Sequence, residues 1–171
     1  MRHLLLAALF IPFSFAHGTL SAPREYRLRL FNTHTLERLE VVYRRDGVYD
    51  PEALAKLDRF LRDWRVGEVR RYDPRLFDLL AELQAGVNKP DAEFHVICGY
   101  RAPATNKRLR SRSSGVGNNS LHMKAAAIDI RLPGVRTSRL RDTALALKRG
   151  GVGYYSGSDF LHVDTGRVRR W

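Results

Sequence analysis

The sequence predicts an α+β domain: a small central antiparallel or mixed β-sheet with helices packed on it. Three observations lead there. Short strand-like runs recur at residues 27–31, 38–43, 93–98, 125–132, 151–155 and 159–164, each bounded by turn residues. Helical periodicity interrupts them, twice behind an Asp-Pro start. No clean βαβ repeat links the pieces, which argues against an all-parallel sheet. At 171 residues and 44% hydrophobic, the chain is long enough for one domain with its own core.

Taken in order, residues 27–31 and 38–43 form a hairpin through Asn32-Thr33-His34-Thr35, with His34 in the solvated turn. Asp50 caps a helix that begins at Pro51, and Leu54, Leu57, Leu61 and Trp64 recur at helical spacing. Asp73-Pro74 repeats the signal for a helix carrying Leu76, Leu79, Leu80 and Leu83 and ending near Gly86. Residues 93–98 are a strand with His95 opposite Phe94 and Val96, a structural position. Pro103 starts a helix through Asn106 and Leu109, and residues 108–119 read as an exposed loop. With Lys107, that loop offers Arg108, Arg110 and Arg112 as a basic rim. Residues 125–132 form a buried strand that carries Asp129 inward. Thr137 or Ser138 caps a helix bearing Leu140, Ala144, Leu145 and Leu147, ended by Gly150-Gly151. The last two strands flank the turn Ser156-Gly157-Ser158.

Charge and the N-terminus bound the function. The 30 Lys+Arg against 18 Asp+Glu leave a net +12, which favours an anionic partner. Met1-Arg2-His3, the apolar run to Phe15 and the small residues Ser14 and Ala16 read as a signal peptide over residues 1–16. A short leader at 17–25 and one domain at 26–171 would follow. The apolar run is too short for a membrane span. Cys98 is the single cysteine, so an internal disulfide is excluded and a small buried strand residue is its expected role. No nucleic-acid motif accompanies the charge, so no nucleic-acid partner is expected.

His122, Asp129 and His162 carry the chemistry. Asp129 and His162 each sit between apolar neighbours, where an unpaired charge is costly. A divalent cation removes that cost, and two imidazoles with one carboxylate suit catalytic zinc. Hydrogen-bonded buried polar residues are the alternative on composition alone.

The wording around these residues resembles a family. Ser120-Leu121-His122, Asp129 and an acidic residue three before His162 are similar to zinc peptidases of the D-Ala-D-Ala metallopeptidase, lysostaphin and hedgehog type. The stretches 99–106, 119–122, 127–134, 150–155 and 162–171 resemble the murein endopeptidase K branch of that superfamily. The resemblance implies a hedgehog- or D-Ala-D-Ala-peptidase-like fold and one zinc per chain on His122, Asp129 and His162. Such a zinc lowers the pKa of its water from about 15.7 to about 7. It further implies Arg101 as the stabiliser of the developing oxyanion and Ser120 as a substrate-binding residue. Relatives place a glutamate base where this chain has Asp159. Asp164 is the competitor, either as base or as the group that orients a ligand histidine.

The expectation is therefore an exported, periplasmic, monomeric zinc metallopeptidase that hydrolyses peptide cross-links of peptidoglycan, with no membrane span after signal cleavage. Anionic wall peptides would be its partners, with Tyr154 and Tyr155 either lining the groove or packed in the core. A carboxypeptidase trimming D-residues from stem peptides and a non-catalytic wall-binding module are the alternatives.

Overall fold

The first hairpin closes because the Asn32 side-chain oxygen accepts from the backbone N–H groups of His34 (2.9 Å) and Thr35 (3.1 Å). Strands β1 (Glu25–Asn32) and β2 (Arg38–Arg45) run antiparallel from it. The computed structural model describes residues 24–112 and 115–171. The expected signal peptide and leader lie outside those residues except for Arg24 and Glu25, and Glu25 already opens β1. A two-residue strand, β3 (Val48–Tyr49), pairs with β2 and is too short to leave a periodic trace in sequence.

Helix α1 (Pro51–Phe60) starts as its sequence dictates, with Asp50 accepting from Glu52 and Ala53 N–H. It stops a turn before the spacing through Trp64 suggests. Trp64 instead leaves the helix and stacks on His34, ring centroids 5.0 Å apart. Helix α2 (Arg75–Gly86) buries Leu76, Leu79, Leu80 and Leu83, and α3 (Pro103–Arg110) follows strand β4 (Glu93–Cys98). Arg108 and Arg110 therefore sit on the last helical turn, not in a loop. Helix α4 (Thr137–Leu147) ends at Lys148 in the left-handed region, φ +52°, ahead of the expected Gly150-Gly151 stop. Among the described residues, no helix is long and apolar enough to cross a membrane.

Strands β5 (Ala127–Arg131), β6 (Gly151–Tyr155), β7 (Phe160–Asp164) and β8 (Arg169–Arg170) complete a mixed sheet in the order β3-β2-β1-β4-β5-β7-β6-β8. Only β1–β4 and β6–β8 are parallel, so the architecture is the expected α+β with a mixed sheet. Register builds its two faces. Leu30 pairs with Phe94, Val96 with Ile130 and Ile128 with Val163, and these side chains share one core with Leu57, Leu76, Leu80 and Leu140 of the helices. Each fully buried aliphatic there contributes about 1.5–3 kcal/mol.

The alternate positions point the other way. Asp129 is paired with His162, and His162 with Gly153, along that second face. On β4 a bulge between Val96 and Cys98 adds one residue. Val96 keeps its place in the core while Cys98, not Ile97, comes opposite Asp129. The bulge therefore ends β4 at the second face, where the next residue must turn.

That residue is Gly99, and the turn leaves no room for a side chain. A Cβ there would stand 2.5 Å from the Leu61 carbonyl oxygen and 3.1 Å from the Tyr72 hydroxyl. The Leu61 carbonyl is already fixed by the Tyr100 N–H at 2.8 Å, so it cannot yield freely. Gly99→Ala is expected to destabilise the fold by about 1–3 kcal/mol. Urea denaturation measures this, and an unshifted midpoint would mean that the turn accommodates a methyl group.

Candidate active site

Three short elements deliver the site. His122 lies on a 3-10 turn, Leu121–Lys124, entered through Ser120, whose hydroxyl accepts from the His122 N–H at 3.4 Å. The turn leaves through Ala125 at φ +50° and feeds β5, which carries Asp129. His162 arrives from β7, directly across from Asp129. All three side chains are at least nine-tenths buried.

The outer contacts fix both histidine tautomers. Nδ1–H of His122 donates to the Gly99 carbonyl at 2.8 Å, and a carbonyl can only accept. Nε2–H of His162 donates to Asp164 Oδ2 at 3.0 Å. Asp164 is fully buried, and Arg169 grips both its oxygens, at 3.0 and 2.7 Å. The backbone N–H groups of Gly151 and Gly166 donate to its Oδ1 as well. Burial alone would raise the Asp164 carboxyl, but His162, Arg169 and those amides hold it well below the usual carboxylate range. An ionised acceptor behind His162 leaves Nδ1 as the lone-pair nitrogen.

The inner atoms then converge. His122 Nε2 is 3.1 Å from His162 Nδ1 and 3.2 Å from Asp129 Oδ1, and the last two are 2.9 Å apart. Three lone-pair atoms this close repel unless something positive stands among them, either a proton or a cation. In the protonated case burial would lower the His122 pKa, but Asp129 and then Cys98 outweigh it, and the value is pushed up to about 10. Asp129 is correspondingly held well below its ordinary range: burial would raise it, and the facing His122 and His162 prevail. In the cation case the donor set is the His₂-carboxylate combination that zinc takes, and ligands about 2.0–2.2 Å from a tetrahedral ion lie roughly 3.3 Å apart. The residues present fit such an ion. Cys98 is a further neighbour, its sulfur within 4.8 Å of ligand atoms of His122 and Asp129.

Arg101 borders the cluster. Its Nη2 lies 3.9 Å from Asp129 Oδ2 and 3.4 Å from Cys98 Sγ, its Nη1 donates to Asn106, and its buried Nε has no partner. The cluster opens into a cavity of about 550 Å³, walled on one side by Arg101, residues 115–117, Asn119 and Ser120. Tyr155, Phe160, Arg169 and Trp171 wall the other.

The structure thus brings together His122, Asp129, His162, Arg101 and Ser120, with Asp164 behind His162. It does not bring Asp159. That residue sits at φ +49° between a 3-10 turn and β7, where its carboxylate accepts from the Thr137 hydroxyl (2.6 Å) and pairs with Arg131 (3.2 Å). Asp159, the expected base, is thus held by its left-handed backbone and these two partners toward the start of α4, outside the cavity lining. Asp164 does not line the cavity either, and every oxygen it has is engaged. Among the described residues, Asp129 is the only carboxylate that lines the cavity. Tyr155 lines it, whereas Tyr154 lies in a neighbouring groove beneath Arg141. Sequence reasoning missed Gly99, Cys98, Arg169 and Trp171 as parts of the site. The first acts through a carbonyl that carries no sequence signature, and the others become neighbours only once β4 bulges and β8 pairs with β6.

A family model described as peptidoglycan L,D-endopeptidase MepK matches residues 20–171. The peptidoglycan L,D-endopeptidase MepK of Escherichia coli (strain K12) is 44% identical over 158 residues, covering 91% of this chain and 85% of that protein. The probable peptidoglycan L,D-endopeptidase MepK of Haemophilus influenzae is 42% identical over 151 residues, covering 88% and 81%. Matches of this extent and identity show the family: this chain belongs to the peptidoglycan L,D-endopeptidase MepK family.

Proposed function

We propose that the chain is an exported zinc peptidase that hydrolyses peptide cross-links of peptidoglycan in the periplasm. The observation that carries the reading is the convergence of His122 Nε2, Asp129 Oδ1 and His162 Nδ1 on one point at the floor of an open cavity. His122, Asp129 and His162 would hold the zinc ion. Bound there, zinc supplies Lewis acidity toward a peptide carbonyl and makes a water acidic enough to act near neutral pH.

The rest is the work of the chain itself. Asp164, locked by Arg169, keeps the His162 ring turned so that Nδ1 faces the cluster, and the Gly99 carbonyl does the same for His122. Arg101 has a buried Nε without a partner and a guanidinium at the cavity wall, so it is placed to receive negative charge developing on a carbonyl oxygen. Ser120, at the rim beside His122, offers a hydroxyl to the peptide backbone. Asp129 Oδ2, the carboxylate oxygen that neither histidine engages, faces Arg101 Nη2 at 3.9 Å and so favours the guanidinium's place at the cavity wall. Asp159 serves the fold by tying the start of α4 to β5.

Two variants separate these roles. Asp164→Ala frees the His162 ring and is expected to weaken zinc binding by about 10–100-fold. Asp159→Ala is expected to keep both zinc and turnover of dimeric muropeptides within about threefold of wild type, since a lost surface hydrogen bond costs about 1 kcal/mol of stability and no more. A zinc-loaded but inactive Asp159→Ala enzyme would return Asp159 to the role of base.

Metal uptake is also expected to depend on pH. The ordinary histidine value is 6.5, and His122 in the metal-free fold titrates at about 10. Because the folded value is the raised one, the proton's contribution to stability is complete below about pH 6.5 and disappears as pH rises through about 10. Zinc must displace that proton from the folded site, so its affinity rises with pH until about 10. Calorimetric titration at pH 7.5 in buffers of different ionisation enthalpy is expected to report release of about one proton per zinc ion. Release of none would mean that His122 is already neutral.

A further inference from the structure

Trp171 is held in place by more contacts than a half-exposed side chain needs. Its ring lies against His162, centroids 5.1 Å apart, and under the Arg169 guanidinium at 4.9 Å. Its backbone joins β6 through Trp171 N–H to the Val152 carbonyl and Tyr154 N–H to the Trp171 carbonyl. Gly153 makes the seat: a Cβ there would stand 2.6–2.7 Å from the indole atoms Cε2, Cζ2 and Nε1, so only glycine lets the ring lie flat on the strand. Finally, Nε1–H donates to the Tyr155 hydroxyl at 3.0 Å, and the Tyr155 ring is itself stacked on Phe160 at 4.4 Å. Yet 51% of Trp171 remains exposed, and it lines the catalytic cavity together with Tyr155 and Phe160.

We infer that Trp171 and Tyr155 form a substrate-positioning subsite, resting on the endopeptidase reading, for an aliphatic side chain that carries a hydrogen-bond acceptor at its end. The indole face supplies a fixed apolar surface beside His162, so an alkyl chain next to the scissile bond gains contact without ordering a mobile ring. The polar point follows from hydrogen-bond arithmetic. The Tyr155 oxygen already accepts from Trp171, which leaves its own O–H to donate, and a carboxylate or carbonyl is what such a donor takes. The opposite wall, with Arg101, Asn119 and Ser120, is polar and suits the peptide backbone. The two walls thus divide the work between side chain and main chain.

The test uses the full zinc-loaded protein and purified dimeric muropeptides. Trp171→Ala is expected to raise KM about tenfold with kcat within twofold and zinc content unchanged. Tyr155→Phe keeps the stacked ring but loses the donor, and is expected to raise KM about threefold. Trp171→Phe should recover most of the loss. An unchanged KM in Trp171→Ala overturns the inference. Loss of zinc from that variant overturns it too, because the indole would then be only a buttress for His162. A second readout does not need turnover. The chain has two tryptophans, so Trp64→Phe leaves Trp171 as the only indole fluorophore. Monomeric stem muropeptides are expected to shift its emission saturably, and no shift at millimolar peptide overturns the subsite. A saturable shift without hydrolysis of any cross-link would sink the endopeptidase reading and leave the subsite standing.

Discussion

The molecule depends on three lone pairs that share one small volume. Asp129 Oδ1, His122 Nε2 and His162 Nδ1 stand within 3.2 Å of one another in a buried setting. No neutral arrangement of these groups is stable with both tautomers fixed from behind, so the cluster must recruit a positive charge. A proton satisfies it in the metal-free fold, at the cost of trapping His122 in the charged state. A divalent cation satisfies it better, because one ion meets all three donors where a proton bridges two. The demand for charge is built into the backbone, since Gly99 supplies a carbonyl and the 3-10 turn supplies the angle. This is why the elements around the site look overdetermined while the cavity itself is open.

The sheet repeats that logic on a larger scale. Its apolar face is continuous through four central strands and needs no special residue. Its other face has to hold Asp129 and His162 in register and meet His122 from the 3-10 turn, and there the chain resorts to exceptions. One is the bulge that sets Cys98 opposite Asp129. Another is β8, whose two residues position Arg169 against Asp164. Asp164 is then an anion with five hydrogen-bond contacts and no exposure, held well below the usual carboxylate range.

Much of this was legible in the sequence, for physical reasons that differ by residue. The hairpin, α1 and β4 announce themselves through Asn32, Asp50-Pro51 and the apolar run at 93–98, because local hydrogen bonding and period-two burial decide them. His122, Asp129 and His162 were conspicuous because polar groups between apolar neighbours are costly without a partner. The surroundings of Asp159 were not legible, since spacing to His162 along the chain carries no information about a left-handed residue that turns its carboxylate to Thr137 and Arg131. The end of α1 was misjudged at Trp64 because an aromatic ring at helical spacing is equally satisfied by stacking on His34 from a loop. Trp171 was invisible as a wall: its role arises from Gly153, eighteen positions away, having no side chain.

The positive charge is unevenly spent. Arg27, Arg29, Arg38, Arg45, Arg62, Arg75, Arg141 and Arg149 face carboxylates within 4 Å, so much of the basic surface is locally neutral. Lys107, Arg108 and Arg110 on the last turn of α3 belong to no such pair among the described residues. Asn106 of the same helix donates to the Gly117 carbonyl, and residues 115–117 form the cavity wall. The excess cation therefore shares a helix with the residue that props this part of the cavity wall. Exposed charges act over only about 8 Å at physiological salt, so this cluster contributes little at the cavity floor. Within the cavity the balance reverses, because Asp164 neutralises Arg169 and Asp129 faces Arg101. Inside the cavity charge is thus cancelled pair by pair, and the unpaired excess is left to the outer surface.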